Sequence, residues 1–204
     1  MRFRPNLTDK GLNMNYMRID PFSVSNGPGV RAALFVAGCR IHCPFCFNGD
    51  AWDFCAGKPF DDKTQDSIIE LMHRVYCEGL TVLGGEPMEP ENQLGLVSFL
   101  EKVKSELRED QQIWMYSGYV FDKDIYPEDG ARHTDVTGRI LDCVDVMVDS
   151  PFINELHDEN LRFRGSSNQR IIDVQETLRN GGAIVEWKEP VSQFIPVEMS
   201  FNQV

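Results

Sequence analysis

The sequence contains no apolar stretch approaching bilayer length, so no membrane-spanning helix is expected. Basic residues are scarce: 20 Lys and Arg stand against 32 Asp and Glu, a formal net charge of -12. A general nucleic-acid binder needs a basic face to displace counterions, and that class is excluded. The N-terminal MRFRPNLTDKGLNMNYMRID has basic residues but no apolar run behind them. No secretory signal is expected there, and the cytoplasm is the expected compartment. No tract rich in Gly, Ser or Pro divides the chain, and no internal repeat is visible. With 204 residues, 42% hydrophobic and 25% charged, the composition is that of one globular domain able to bury a real core. Six cysteines in such a chain point to free thiols, metal ligands or catalysis before disulfides.

The acidic excess is concentrated. Residues 122–160 hold 11 acidic and 3 basic side chains, whereas residues 1–50 hold 3 acidic and 6 basic ones. The acidic stretch reads as a solvated face. Residues 161–170 then carry Arg162, Arg164 and Arg170 and no acid. These arginines either dock a partner or bound anion, or pair with the acidic stretch just before them.

Short apolar runs alternate with helical patterns along the chain. Strands are expected at Ala32–Ala37, Leu80–Leu83, Ile113–Tyr116 and Val144–Val148, with a weaker fifth at Arg170–Val174. Helices are expected over 64–77 and 91–107. The first carries Ile68, Ile69, Met72, Val75 and Tyr76 on one face. The second repeats Leu94, Val97, Leu100, Val103 and Leu107 at spacings of three and four. Strands alternating with helices imply βαβ units, an α/β fold and a largely parallel sheet. Working residues in such folds gather at the C-terminal strand ends. The unusual motifs of this chain all follow expected strands and would share one rim.

The first motif, Cys39-Arg-Ile-His-Cys43-Pro-Phe-Cys46, puts three thiols within eight residues. Zinc usually takes four ligands, often from paired knuckles, and there is no second knuckle here. A disulfide would leave one thiol over. A four-iron cluster held by three thiolates leaves one iron free to bind a substrate. Cys55 or His42 is a rival fourth ligand. Cys77, on the expected helix, and Cys143, just before a strand, read as isolated thiols, and His73, His133 and His157 form no ligand spacing.

The second motif, Thr81-Val-Leu-Gly-Gly-Glu-Pro-Met88, ends a strand in two glycines and a carboxylate. The glycines allow close backbone approach, and their carbonyls can accept hydrogen bonds from an ammonium group. Glu86 would add a negative charge for the same cation. A plain turn between strand and helix explains the four residues about as well.

Together, C-x3-C-x2-C and the Gly-Gly-Glu-Pro turn resemble the signature of radical S-adenosylmethionine (SAM) enzymes. From about Met14 to Val174 the chain further resembles the activating proteins of anaerobic ribonucleoside-triphosphate reductases. Asn26-Gly-Pro-Gly-Val-Arg31, Trp114-Met-Tyr-Ser-Gly-Tyr119, Val144–Phe152 and Arg164-Gly-Ser-Ser-Asn-Gln-Arg170 carry that likeness. It implies a single-domain partial (βα) barrel of the radical SAM type over residues 14–174. Residues 1–13 would form an N-terminal extension and residues 175–204 a C-terminal one. The resemblance implies one 4Fe-4S cluster on Cys39, Cys43 and Cys46, with SAM bound against Phe45, Cys46, Phe47, Gly84, Gly85 and Glu86. It implies an electron from reduced flavodoxin or a similar donor, reductive cleavage of SAM, and hydrogen abstraction from one glycine of the reductase. Two other readings stand beside it: a radical SAM enzyme acting on a small molecule, as in the carboxy-deazaguanine synthases, and a non-enzymatic iron–sulfur electron-transfer module.

Overall fold

The computed structural model describes residues 14–189, so the expected extension at 1–13 and the last part of the one at 175–204 lie outside the described residues. Val30–Val36 (β2) is apolar after Arg31 and buried from that residue on, as expected of a strand covered on both faces. It pairs in parallel with Cys77–Gly84 (β4), which pairs with Gln112–Tyr116 (β5), which pairs with Val146–Asp149 (β6). Antiparallel strands flank this centre. Asn15–Ser23 (β1) and the two-residue Lys58–Pro59 (β3) lie on one side, and Arg170–Asp173 (β7) on the other. The spatial order is β3-β1-β2-β4-β5-β6-β7, a mixed seven-stranded α/β sheet that is parallel at its centre.

Side chains alternate between the faces of a strand. Leu34, Val36, Leu80, Val82, Ile113, Met115 and Met147 enter the main core. There they meet Asp62–Met72 (α1), Pro90–Glu106 (α2), Thr137–Cys143 (α3) and Val174–Arg179 (α4). Their neighbours Ala33, Phe35, Leu83, Trp114, Val146 and Val148 form two smaller clusters on the other face. That face is covered by loops: Phe163 and Trp187 meet Trp114 edge-on at 5.5 and 4.9 Å.

The expected elements shift in informative ways. The helix expected over 64–77 starts earlier, capped by Asp61 accepting from Thr64 N–H, and stops at Met72. The Met72 carbonyl is taken by the side chains of Arg108 and Gln111, so tertiary contacts end the helix. Val75 is therefore exposed and Cys77 opens a strand, against the expectation that both lie on a helix. In α2 the buried stripe runs through Asn92, Gln93, Leu96, Val97, Phe99, Leu100 and Val103, while Leu94 is half-buried and Leu107 falls past the end. Cys143 closes α3, and β6 begins only at Val146. Val174 starts α4 because Asp173 caps it, accepting from Glu176 N–H. The strand β1 escapes sequence reading because register shifts between Tyr16 and Arg18 and between Asp20 and Ser23 break its alternation.

Candidate functional site

The end of β2 leads directly into the cysteine loop, whose two ends are tied together. Gly38 N–H donates to Ala51 O at 2.7 Å and Cys39 N–H to Trp52 O at 3.1 Å. Inside the loop Cys46 N–H donates to Cys43 O at 3.2 Å. His42 (φ 51°) and Phe45 (φ 61°) take left-handed backbone that costs a non-glycine residue about 1–2 kcal/mol. Such strain is held by surrounding structure and concentrates where geometry serves function.

The loop opens onto a cavity of about 160 Å³ that four strand ends share. Cys39, Cys43, Cys46 and Phe47 come from β2, and Gly84, Gly85 and Glu86 from β4. Tyr116, Ser117 and Gly118 come from β5, and Ser150 and Phe152 from β6. Gln169, from the arginine-bearing segment, lines it too. Of the residues that the family resemblance assigns to the cluster or to SAM, Phe45 alone stands outside this lining, 80% exposed. The rival ligands Cys55 and His42 are also outside it, Cys55 on the surface and His42 stacked on Trp52. Among the described residues no three His, Cys, Asp or Glu side chains converge closely enough to grip a single ion. The three thiols stand around a space instead of meeting at a point.

Glycine is required at the turn. Gly84 has φ 109°, and a Cβ there would sit 2.7 Å from Phe35 Cα. A Cβ on Gly85 would sit 2.6 Å from the Gly38 carbonyl. The two motifs are thus packed backbone to backbone. Asn92 joins them further: its buried Nδ2 donates to Ala37 O, Gly38 O and Glu86 O.

Burial governs the charges of the rim. It pushes the Cys39 thiol up to about 11 and raises Cys43 as well. Thiolates in such surroundings need a bound cation to stabilise them, and soft sulfur donors suit iron–sulfur clusters. The donor set therefore fits the group that the cysteine spacing implies. Burial also pushes the Glu86 carboxyl up to about 7, against the hydrogen bonds it accepts from Met88 N–H, Ser117 Oγ and Gly118 N–H. Glu86 thus fastens the end of β4 to the end of β5 while facing the cavity.

Several working residues carried no sequence signal. Glu89 is fully buried beneath the loop and accepts from Arg40 N–H, Arg40 Nη1 and the Tyr119 hydroxyl. It anchors the residue next to Cys39, and Arg40 also forks onto Glu91. One glutamate in the run Glu86-Pro-Met-Glu-Pro-Glu91 does not advertise this role; only the fold brings Arg40 and Tyr119 to it. The three arginines all have partners within the chain. Arg170 holds the buried Asp149 and the exposed Asp122, Arg164 donates to Gln169 O, and Arg162 meets Glu189.

Comparison with known proteins matches residues 25–172 to the family described as 4Fe-4S single cluster domain. The chain is similar to the anaerobic ribonucleoside-triphosphate reductase-activating protein of Pasteurella multocida, 36% identical over 160 residues, covering 78% of this chain and 96% of the relative. The protein of the same description from Haemophilus influenzae is 39% identical over 161 residues, covering 78% and 97%. That from Escherichia coli is 35% identical over 158 residues, covering 76% and 96%.

Proposed function

The chain belongs to the anaerobic ribonucleoside-triphosphate reductase-activating proteins, and from that premise we propose that it is a radical SAM enzyme generating the glycyl radical of such a reductase. The observation that carries this reading is the meeting of three thiols from one short loop with the Gly-Gly-Glu turn of the next parallel strand around one cavity. In this reading the sheet is a partial (βα) barrel, the activase unit spans residues 14–174, and 1–13 and 175–204 are extensions to it.

Cys39, Cys43 and Cys46 would hold three irons of a 4Fe-4S cluster and leave the fourth without a protein ligand. Bound together, cluster and SAM would supply one-electron cleavage of the sulfonium bond and, through it, removal of a hydrogen atom from a glycine α-carbon. The chain's own residues do the rest. The carbonyls of Gly84 and Gly85 and the carboxylate of Glu86 accept from the SAM ammonium group. Cys46 and Phe47, which line the cavity, would lie against the cofactor, whereas the exposed Phe45 stands outside the lining. The Glu86 tie to Ser117 and Gly118 keeps that carboxylate aimed at the cavity. Phe47 and Phe152 line the same cavity. Reduced flavodoxin or a similar donor supplies the electron. Glycine suits the target because no side chain obstructs a planar radical at its α-carbon.

Electron paramagnetic resonance on anaerobically reconstituted, dithionite-reduced protein tests the reading. The expected result is a four-iron signal that changes on adding SAM, followed by a glycyl radical when the reductase is added. A signal indifferent to saturating SAM, or bound zinc without iron, would overturn it.

A further inference from the structure

A second cavity, of about 220 Å³, adjoins the first and shares Phe47, Asn48 and Gly84 with it. It lies on the sheet face away from the main core, over Phe35 of β2. Met17 and Arg18 of β1 and Asp50, from the segment that closes the cysteine loop, form its other walls. Consecutive strand residues normally face opposite ways. Here a bulge lets both reach one cavity: β1 advances from Tyr16 to Arg18 while β2 moves only from Val36 to Phe35.

Arg40, Arg162 and Arg170 form ion pairs within the chain, and Arg164 donates to Gln169 O. Arg18 has no ion pair or side-chain hydrogen bond among the described residues, although Asp50 lines the same cavity. Its guanidinium lies over the Phe35 ring, 3.8 Å from the centroid. Such stacking fixes the plane of the group and leaves its in-plane N–H donors free for a ligand. Arg18 and Asp50 are both exposed, so a ligand can reach them from solvent.

A stacked cation, a carboxylate not paired with it and an apolar floor suit a polypeptide backbone, which offers carbonyl acceptors and N–H donors along its length. A glycine has no side chain to grip, so a segment that presents one must be held by its backbone and flanks. The surface beside the cavity is apolar, as a partner's seat would be: Phe45 and Phe47 are 80% and 86% exposed. We propose that the second cavity seats the reductase segment carrying the target glycine, with Arg18 donating to a backbone carbonyl and Asp50 accepting from a backbone N–H. This rests on the function proposed above and adds where the partner's chain lies. Because the two cavities share Gly84 and Phe47, a glycine held in the second stands beside the cofactor held in the first.

Arg18→Ala and Asp50→Ala each remove one contact at an exposed position. Initial rates of glycyl-radical formation are read by resonance against reductase concentration, and the SAM dissociation constant is read from the reduced-cluster signal. Each variant is expected to raise KM for the reductase about tenfold, more than any fall in kcat, with SAM affinity unchanged. Arg18→Lys keeps a cation without the planar fork and should recover part of the loss. An unchanged KM in either variant overturns the proposal. So does a loss of SAM affinity that matches the rise in KM, which would place SAM itself in the second cavity.

A second measurement does not depend on affinity. With p-benzoylphenylalanine in place of Arg18, irradiation at saturating reductase should tether the peptide that contains the radical-bearing glycine. A tether elsewhere on the reductase, or none, overturns the proposal. If the wild-type protein forms no SAM-responsive cluster, the parent reading falls and this one with it. Normal wild-type activation beside unaltered variants sinks the Arg18 and Asp50 assignment alone.

Discussion

The two ends of the parallel sheet solve the same problem differently. At the base, where the strands begin, Arg31 is buried and donates to Thr81 Oγ1, Glu78 O, Leu80 O and Gln112 O. Burial lowers its guanidinium to about 10, yet each of its nitrogens has an acceptor. Gly79 beside it has φ 136°, and a Cβ there would strike the Gln112 carbonyl at 2.0 Å. The base is complete without any ligand. At the rim, where the strands end, His42, Phe45 and Ser150 are left-handed without being glycine, a carboxyl is pushed up to about 7, and an indole N–H goes unmet. Consistency among local choices marks the part of a fold that only has to be stable, and local violations mark the part that has to bind something.

The contrast can be broken most severely at the thiols. Cys43→Ala is expected to abolish cluster uptake, measured as iron and sulfide per chain after reconstitution. It should change the unfolding free energy of the unloaded protein, read from urea unfolding, by less than about 1 kcal/mol. Unimpaired iron binding would refute the ligand assignment. Arg31→Met is the reverse experiment. Stranding the buried carbonyls of Leu80 and Gln112 is expected to cost about 3 kcal/mol in denaturant unfolding, with iron uptake per folded chain unchanged. Should that variant lose iron while keeping its stability, base and rim are not separable.

Glu86 offers a finer probe. Its carboxyl lies near 7 in the fold against an ordinary 4.5, so the native state holds the proton longer than the unfolded chain does. That contribution is fully present below about pH 4.5 and is lost as pH rises through about 7, by at most roughly 1 kcal/mol per pH unit. Glu86→Gln is expected to flatten the stability profile across this window, as followed by urea unfolding at stepped pH. A profile as steep as the parent's would show that another group titrates there. The smallest effect is expected from Tyr119→Phe, which removes one of the three donors to Glu89 and should cost about 1 kcal/mol. A cost above that of Arg31→Met would place the molecule's main clamp at the rim instead of the base.

Much of this rim was legible before folding. The thiol spacing, the Gly-Gly-Glu turn, Ser117-Gly-Tyr119 and Asp149-Ser-Pro-Phe152 each follow an apolar run, and the cavity is lined from all four. The central strands were legible because an unbroken apolar run has few other uses. The flanking elements were not. In β1 the bulges destroy the period-two pattern, and α3 and α4 are too short for a helical period to emerge. The residues that support the site were invisible for another reason. Glu89 and Asn92 act through partners 30 or more positions away, and no local pattern encodes that.

The sequence by itself determined the chemistry: which thiols, at what spacing, behind which strand, next to which glycines. Spacing along a chain limits what one loop can grip, so that information is local. Tertiary structure alone decided which donors and acceptors are spent and which stay open. A buried hydrogen bond depends on atoms from distant strands arriving within 3 Å, and only the packed sheet sets those distances.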